Sequence, residues 1–289
     1  MKKVLNWLAK NKLIAILLAV VTYLSIVTFH DEITTLAIKI RNSVGRDNYN
    51  IYLGYFFLAL LLFVVFLFVR IIMKSERKWL KLGLAAGITG LMVLSFRFLM
   101  TYNIEAIHFV EYFLVAILLV PLFRSFGETV FWVTILGILD ELFQYFFLVP
   151  TFEYFDFNDN VLNLLGAGTA AVLVFILNPG AVDIKKYRCF RSPGTIIGIA
   201  ILFLMVLLIA TGKITVNPAG EAGTNWFSLN RGMMPDNPWK EAYAGRMFYI
   251  LPFWQAMAFI YLLFAGFFLL DFVSHRFTQI KLTDFTDHV

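Results

Sequence analysis

Cysteine occurs once in the 289 residues, at Cys189. No intrachain disulfide and no multi-cysteine metal site can be built from a single thiol. Cys189 reads more readily as a neutral residue in a basic loop than as a reactive centre. Charge is scarce as well: 15% of the chain is Asp, Glu, Lys or Arg, against roughly 25% in a soluble domain. No fixed-period repeat and no Gly/Ser-rich or Pro-rich linker divides the sequence, so residues 1–289 read as one domain. The net charge is +5, yet the basic residues are scattered over short loops without interleaved stacking aromatics. That pattern argues against a nucleic-acid partner. What the chain has in excess is apolar surface: 60% hydrophobic residues and a mean hydropathy of +0.79. One water-soluble core cannot hide that much. The fold class expected is all-α, a polytopic transmembrane helix bundle.

A membrane-crossing helix needs about 20 mainly apolar residues. Eight segments qualify: 13–29, 51–73, 82–100, 104–123, 128–149, 161–177, 194–211 and 248–272. With eight spans, alternate loops share a side. Sixteen of the 24 Lys and Arg then fall on the side of the two termini and eight on the other. The positive-inside rule places both termini in the cytoplasm. The first apolar run is longer than a signal-peptide core and lacks a small-x-small cleavage site before Phe29-His30-Asp31, so it reads as a retained helix. Two outer connections stand apart. The one near 150–160 has three acids and no base, and the one over 212–247 is the longest, either a binding lid or a cap over helix ends.

Polar residues interrupt the apolar runs between Glu105 and Gly168. Glu105, His108 and Tyr112 share a helix face in the fourth segment, with Glu111 three residues from His108. Asp140 and Gln144 are four apart in the fifth, with Glu141 three from Gln144. Asp159 and Asn163 are four apart at the start of the sixth, after Asp156. At 1.5 Å per residue, Glu105 and His108 lie within about 6 Å of the outer end, Gln144 about 8 Å below it and Asp140 about 14 Å. Arg97, near the outer end of the third segment, is placed to counter the carboxylates. The expectation is one outward-opening polar cavity. Ionisable groups at membrane depth are costly and mark functional sites by default. Three chemistries suit the set. A histidine flanked by carboxylates does general acid/base work. A His/Asp/Glu set binds a divalent metal such as zinc, manganese or magnesium. A hydrogen-bonded network merely joins helices.

The order His108…Tyr112, Asp140-Glu141-Leu142-Phe143-Gln144, then Asp159-x-x-x-Asn163-x-x-Gly166 resembles the VanZ-like family of bacterial membrane proteins, over roughly residues 95–177. Glu153 stands where members of that family often carry an arginine. The resemblance implies a bacterial plasma-membrane protein associated with resistance to teicoplanin, a glycopeptide antibiotic that carries a lipid tail and acts at the outer membrane face. The leading expectation is therefore a site handling a lipid or lipid-linked envelope molecule. In it His108 serves as acid/base or ligand, with Glu105, Asp140, Glu141 and Asp159 as its charge partners. Gln144, Asn163, Arg97, Tyr112 and Glu111 contact or orient the substrate. The alternatives are a proton-coupled transporter or lipid translocator, and a module that sequesters its ligand without turnover.

Overall fold

A computed structural model describes residues 2–123, 125–148, 153–177, 192–218, 226–243 and 245–286, apart from the side chains of Lys2 and of 274–286. Cys189, Arg124 and the basic residues of 185–191 lie outside the described residues. So do part of the acidic connection and part of the 212–247 connection.

Among the described residues are nine α-helices. These are α1 (Lys2–Lys10), α2 (Lys12–Val44), α3 (Arg46–Met73), α4 (Lys78–Phe98), α5 (Ile107–Phe123), α6 (Phe126–Phe143), α7 (Phe157–Leu177), α8 (Pro193–Ala210) and α9 (Phe253–Thr286). Eight helical segments are long and apolar enough to cross a membrane, as expected of a multi-pass membrane protein. The ninth helix, α1, is a short amphipathic piece that touches α2 and α5.

The helix bounds differ from the expected spans where charged residues follow an apolar run. The first span was expected to stop at 29, but α2 runs on through His30, Asp31 and Glu32 to Val44. Its 33 residues make about 50 Å of helix, more than the roughly 30 Å hydrocarbon core. No proline or glycine interrupts it before Gly45, whose φ of +86° allows the reversal into α3. Charges alone do not end a helix; a residue free to take positive φ does. At the other edge of the fifth span, a π-helical turn over Gln144–Leu148 continues α6.

The central element is α7. It packs against α4, α5, α6 and α9, and nearly nine-tenths of it (89%) is buried, whereas α3 and α8 are each 11% buried. Small residues permit this. A Cβ placed on Gly166 would come within 2.6 Å of the Phe109 carbonyl oxygen, so α5 and α7 touch backbone to backbone there. Close approach at small residues is how helices associate in lipid.

The connections at the Glu105/Asp159 end of the bundle (the site end) are tied together through two asparagines. Asn158 donates to the carbonyls of Leu99 and Tyr249 at 2.7 and 2.8 Å and accepts from Leu251 N at 2.9 Å. Asn103 pairs with Asn50 and accepts from Tyr243 and Arg246. The long 212–247 connection is not structureless. It holds β1 (Ile214–Thr215) parallel to β2 (Phe227–Ser228), and β3 (Trp239–Glu241) antiparallel to β4 (Met247–Tyr249). Its Arg231 donates to the Tyr145 carbonyl and stacks 4.1 Å over the Tyr145 ring. Gly232 N bonds to the Glu153 carbonyl at 2.6 Å.

Candidate functional site

A 3₁₀ turn over Asn103–Ala106 leads into α5. The Glu105 carboxylate turns back on that corner and accepts from the backbone N–H groups of Thr101 and Tyr102 at 2.8 and 3.0 Å. Glu105 therefore fixes the entry of α5, an assignment its helical spacing did not suggest. One turn on, α5 presents His108, Glu111 and Tyr112 to α6 and α7.

The three polar stripes meet. His108 Nε2 is 3.7 Å from Asp159 Oδ2, and His108 Nδ1 is 3.7 Å from Glu111 Oε2. His108, Glu141 and Asp159 each place one ligand-capable atom within 4.8 Å of the other two. Deeper in, the Tyr112 hydroxyl donates to Asp140 Oδ2 at 2.9 Å. Tyr112, Asp140 and Asn163 are fully buried, and His108, Glu141 and Gln144 are nearly so. Asn163 has its room because residue 137 is glycine: a Cβ there would sit 2.9 Å from the Asn163 side chain. At the rim, Asp156 accepts from the N–H groups of Asn158 and Asp159, starting α7. Burial, with the nearby Asp159 charge, pushes the Asp156 carboxyl up to about 7.

Arg97 does not join this group. Its side chain is exposed, donates to the Met247 carbonyl and lies against the Phe98 ring. Among the described residues, the ion-pair contacts at the site are those of His108 with Glu111 and Asp159, and no Lys or Arg shares them. Glu111, Asp140, Glu141, Asp156 and Asp159 thus converge on one or two imidazoles.

The second imidazole is His30, whose ring centroid lies 6.2 Å from that of His108. A first span ending at 29 puts His30 in the following loop, whereas it lies within α2. A signal was present: Tyr23 and His30 are seven apart and so share a face of an uninterrupted helix. Tyr23 donates to the Leu136 carbonyl at 3.1 Å, which holds that face of α2 against α6. Asn160 was also missed. Its amide donates to the Asp156 carbonyl at 2.8 Å, and its oxygen is buried without a protein partner.

Two other buried acids show how this chain treats structural carboxylates. Asp271 on α9 accepts from Ser125 Oγ and from the N–H groups of Phe126 and Gly127 at 2.6, 2.6 and 2.9 Å, capping α6. Glu128 accepts from Gly194 N and Trp132 Nε1 at 2.8 and 2.9 Å, binding the start of α8. These oxygens face N–H and O–H donors and helix N-termini. In the cluster, by contrast, His108 Nδ1, Glu111 Oε2, Asp140 Oδ1, Glu141 Oε1, Gln144 Nε2 and Asp159 Oδ1 are buried with no protein hydrogen-bond partner among the described residues. Buried polar atoms are nearly always paired, and each exception costs on the order of 1–3 kcal/mol.

No protein-family model, curated protein or solved structure matches this chain.

Proposed function

We propose that this is a VanZ-like protein of the bacterial plasma membrane, with both termini cytoplasmic. Its site opens outward and binds or acts on the polar head of a lipid or lipid-linked envelope molecule, lowering susceptibility to lipoglycopeptides such as teicoplanin. The observation that supports this reading is the set of buried polar atoms of α5, α6 and α7 without protein partners, close to one end of the bundle. His108 lies five residues from the start of its helical segment and Asp159 two residues into α7, depths of about 7 and 3 Å. Lipid head groups and the linkages next to them lie at that level. The group mixes donors (Gln144, Asn163, His108) with acceptors (Asp140, Glu141, Asp159), as an uncharged or mixed-charge polar head requires. The charge bias of the loops supports the orientation.

In this reading His108 exchanges a proton with the ligand or donates a hydrogen bond to it. Glu111 orients the imidazole ring, and Asp140, Glu141 and Asp159 are its acidic neighbours in the same buried group. Gln144 and Asn163 set the ligand's orientation. The test is teicoplanin susceptibility and membrane lipid composition in cells expressing matched levels of wild type, His108→Ala, Glu141→Ala and Asp159→Ala. Loss of the phenotype in each variant is expected. An unchanged phenotype overturns the proposal, and proton-dependent flux in proteoliposomes would replace it with transport.

A further inference from the structure

We propose that His108, Glu141 and Asp159 together bind one divalent transition-metal ion, zinc or manganese. The inference goes beyond the lipid reading and does not depend on it.

The distances carry the first part of the argument. At 3.7 Å, His108 Nε2 and Asp159 Oδ2 are too far apart for a hydrogen bond. Two ligands of a tetrahedral ion with bonds near 2.1 Å stand about 3.4 Å apart. Three atoms within 4.8 Å of one another share a point no more than about 2.8 Å from each, so inward shifts of about 0.7 Å reach metal–ligand lengths. Each ligand comes from a different helix, α5, α6 and α7, as in metal sites built at the core of helix bundles.

The second part is the set of unpartnered atoms. Glu141 is 4% exposed and His108 3%, and Glu141 Oε1 and Asp159 Oδ1 lack protein hydrogen-bond partners. Glu111, Glu141 and Asp159 surround His108 without a lysine or arginine among the described ion pairs, and a divalent cation supplies positive charge there.

The third part is the far side of the imidazole. With Nε2 toward the ion, Nδ1 faces Glu111 Oε2 at 3.7 Å. Metal-bound histidines characteristically give their other N–H to a carboxylate, which fixes the tautomer. Glu111 stands on the same helix face at 3.7 Å, beyond hydrogen-bond distance, and takes that positioning role once the ring and carboxylate close by about 0.5–1 Å. One imidazole with two carboxylates suits zinc or manganese rather than copper or iron–sulfur chemistry. Three protein ligands leave a coordination position open for water or another ligand.

The test uses the full-length protein in detergent micelles, stripped with a chelator and desalted. Zn²⁺ and Mn²⁺ are titrated separately in competition with a chromophoric chelator, and Co²⁺ serves as a spectroscopic probe. About one ion per chain is expected. His108→Gln, Glu141→Gln and Asp159→Asn should each weaken binding at least tenfold, while Asp271→Asn, a buried acid elsewhere, should not. Glu111→Gln should weaken it roughly 10–100-fold and alter the Co²⁺ spectrum while keeping the stoichiometry. Should the ligand variants fail to fold, zinc-edge X-ray absorption of wild type still decides. One imidazole among oxygen ligands upholds the site, and oxygens alone overturn it. Wild-type binding no tighter than that of the triple variant also overturns it, even if the lipid phenotype persists.

Discussion

The Tyr112 hydroxyl donates to Asp140 Oδ2 at 2.9 Å, and both side chains are wholly buried. Among the described residues it is the only hydrogen bond of the Asp140 side chain, whose Oδ1 has no partner there. Tyr112→Phe should therefore destabilise by about 1–3 kcal/mol, the cost of leaving a buried acceptor unmade. Tyr112→Phe combined with Asp140→Leu should recover part of that loss, since removing both partners costs less than removing one. Thermal unfolding in micelles measures both. A single variant as stable as wild type would contradict the bond's importance.

Two glycines make opposite predictions. Gly166→Ala puts a methyl 2.6 Å from the Phe109 carbonyl and 3.2 Å from that of His108. It should cost about 1–3 kcal/mol, because backbone must move, and it should disturb the site through His108. Gly83→Ala meets nothing within 4 Å on α4 and should be neutral or stabilising by up to about 1 kcal/mol. Unfolding temperatures for the pair check the α5–α7 contact directly.

Asp271→Asn should lower stability by about 1–3 kcal/mol, because it weakens the acceptor of three bonds at the start of α6. The surviving folded protein should keep its ligand-dependent phenotype and its metal stoichiometry. Expression-corrected assays separate this stability role from the site; an effect per folded molecule as large as that of Asp159→Asn would erase the distinction.

Sidedness is checked with cysteines. In a Cys189→Ser background, Met233→Cys, which replaces a residue 66% exposed at the site end, should react with an impermeant maleimide on intact cells. Lys74→Cys, in the turn after α3, should react only after permeabilisation. The reverse pattern would invert the proposed orientation and turn the site toward the cytoplasm.

Much of the bundle was legible in sequence because about 20 apolar residues are a strong signal, and each of the eight spans overlaps a helix. The eighth, expected from 248, begins only at Phe253 because Met247–Tyr249 pairs as β4. The convergence of His108, Glu141 and Asp159 followed from helical spacing and alternating direction. His30 escaped because charges at 31 and 32 resemble a span end, although only Gly45 stops α2. Helical spacing gives Glu105 a face and not a hydrogen-bond partner; its carboxylate also caps the turn before α5, beside Asp156 and Asp159. Arg97 has the right depth, but exposure on α4 and a bond to Met247 keep it outside. The short strands of the 212–247 connection are two or three residues each, too brief for a period-two pattern to register.

The burial of α7 on nearly every side has a consequence for how this sequence can drift. A random substitution there strikes a packed position almost wherever it lands, whereas on α3 or α8 about nine in ten land outside the fully buried core. Tolerance to mutation, read along the chain, becomes a ruler of distance from lipid. Its shortest reading falls on the helix that carries Asp159 and Asn163.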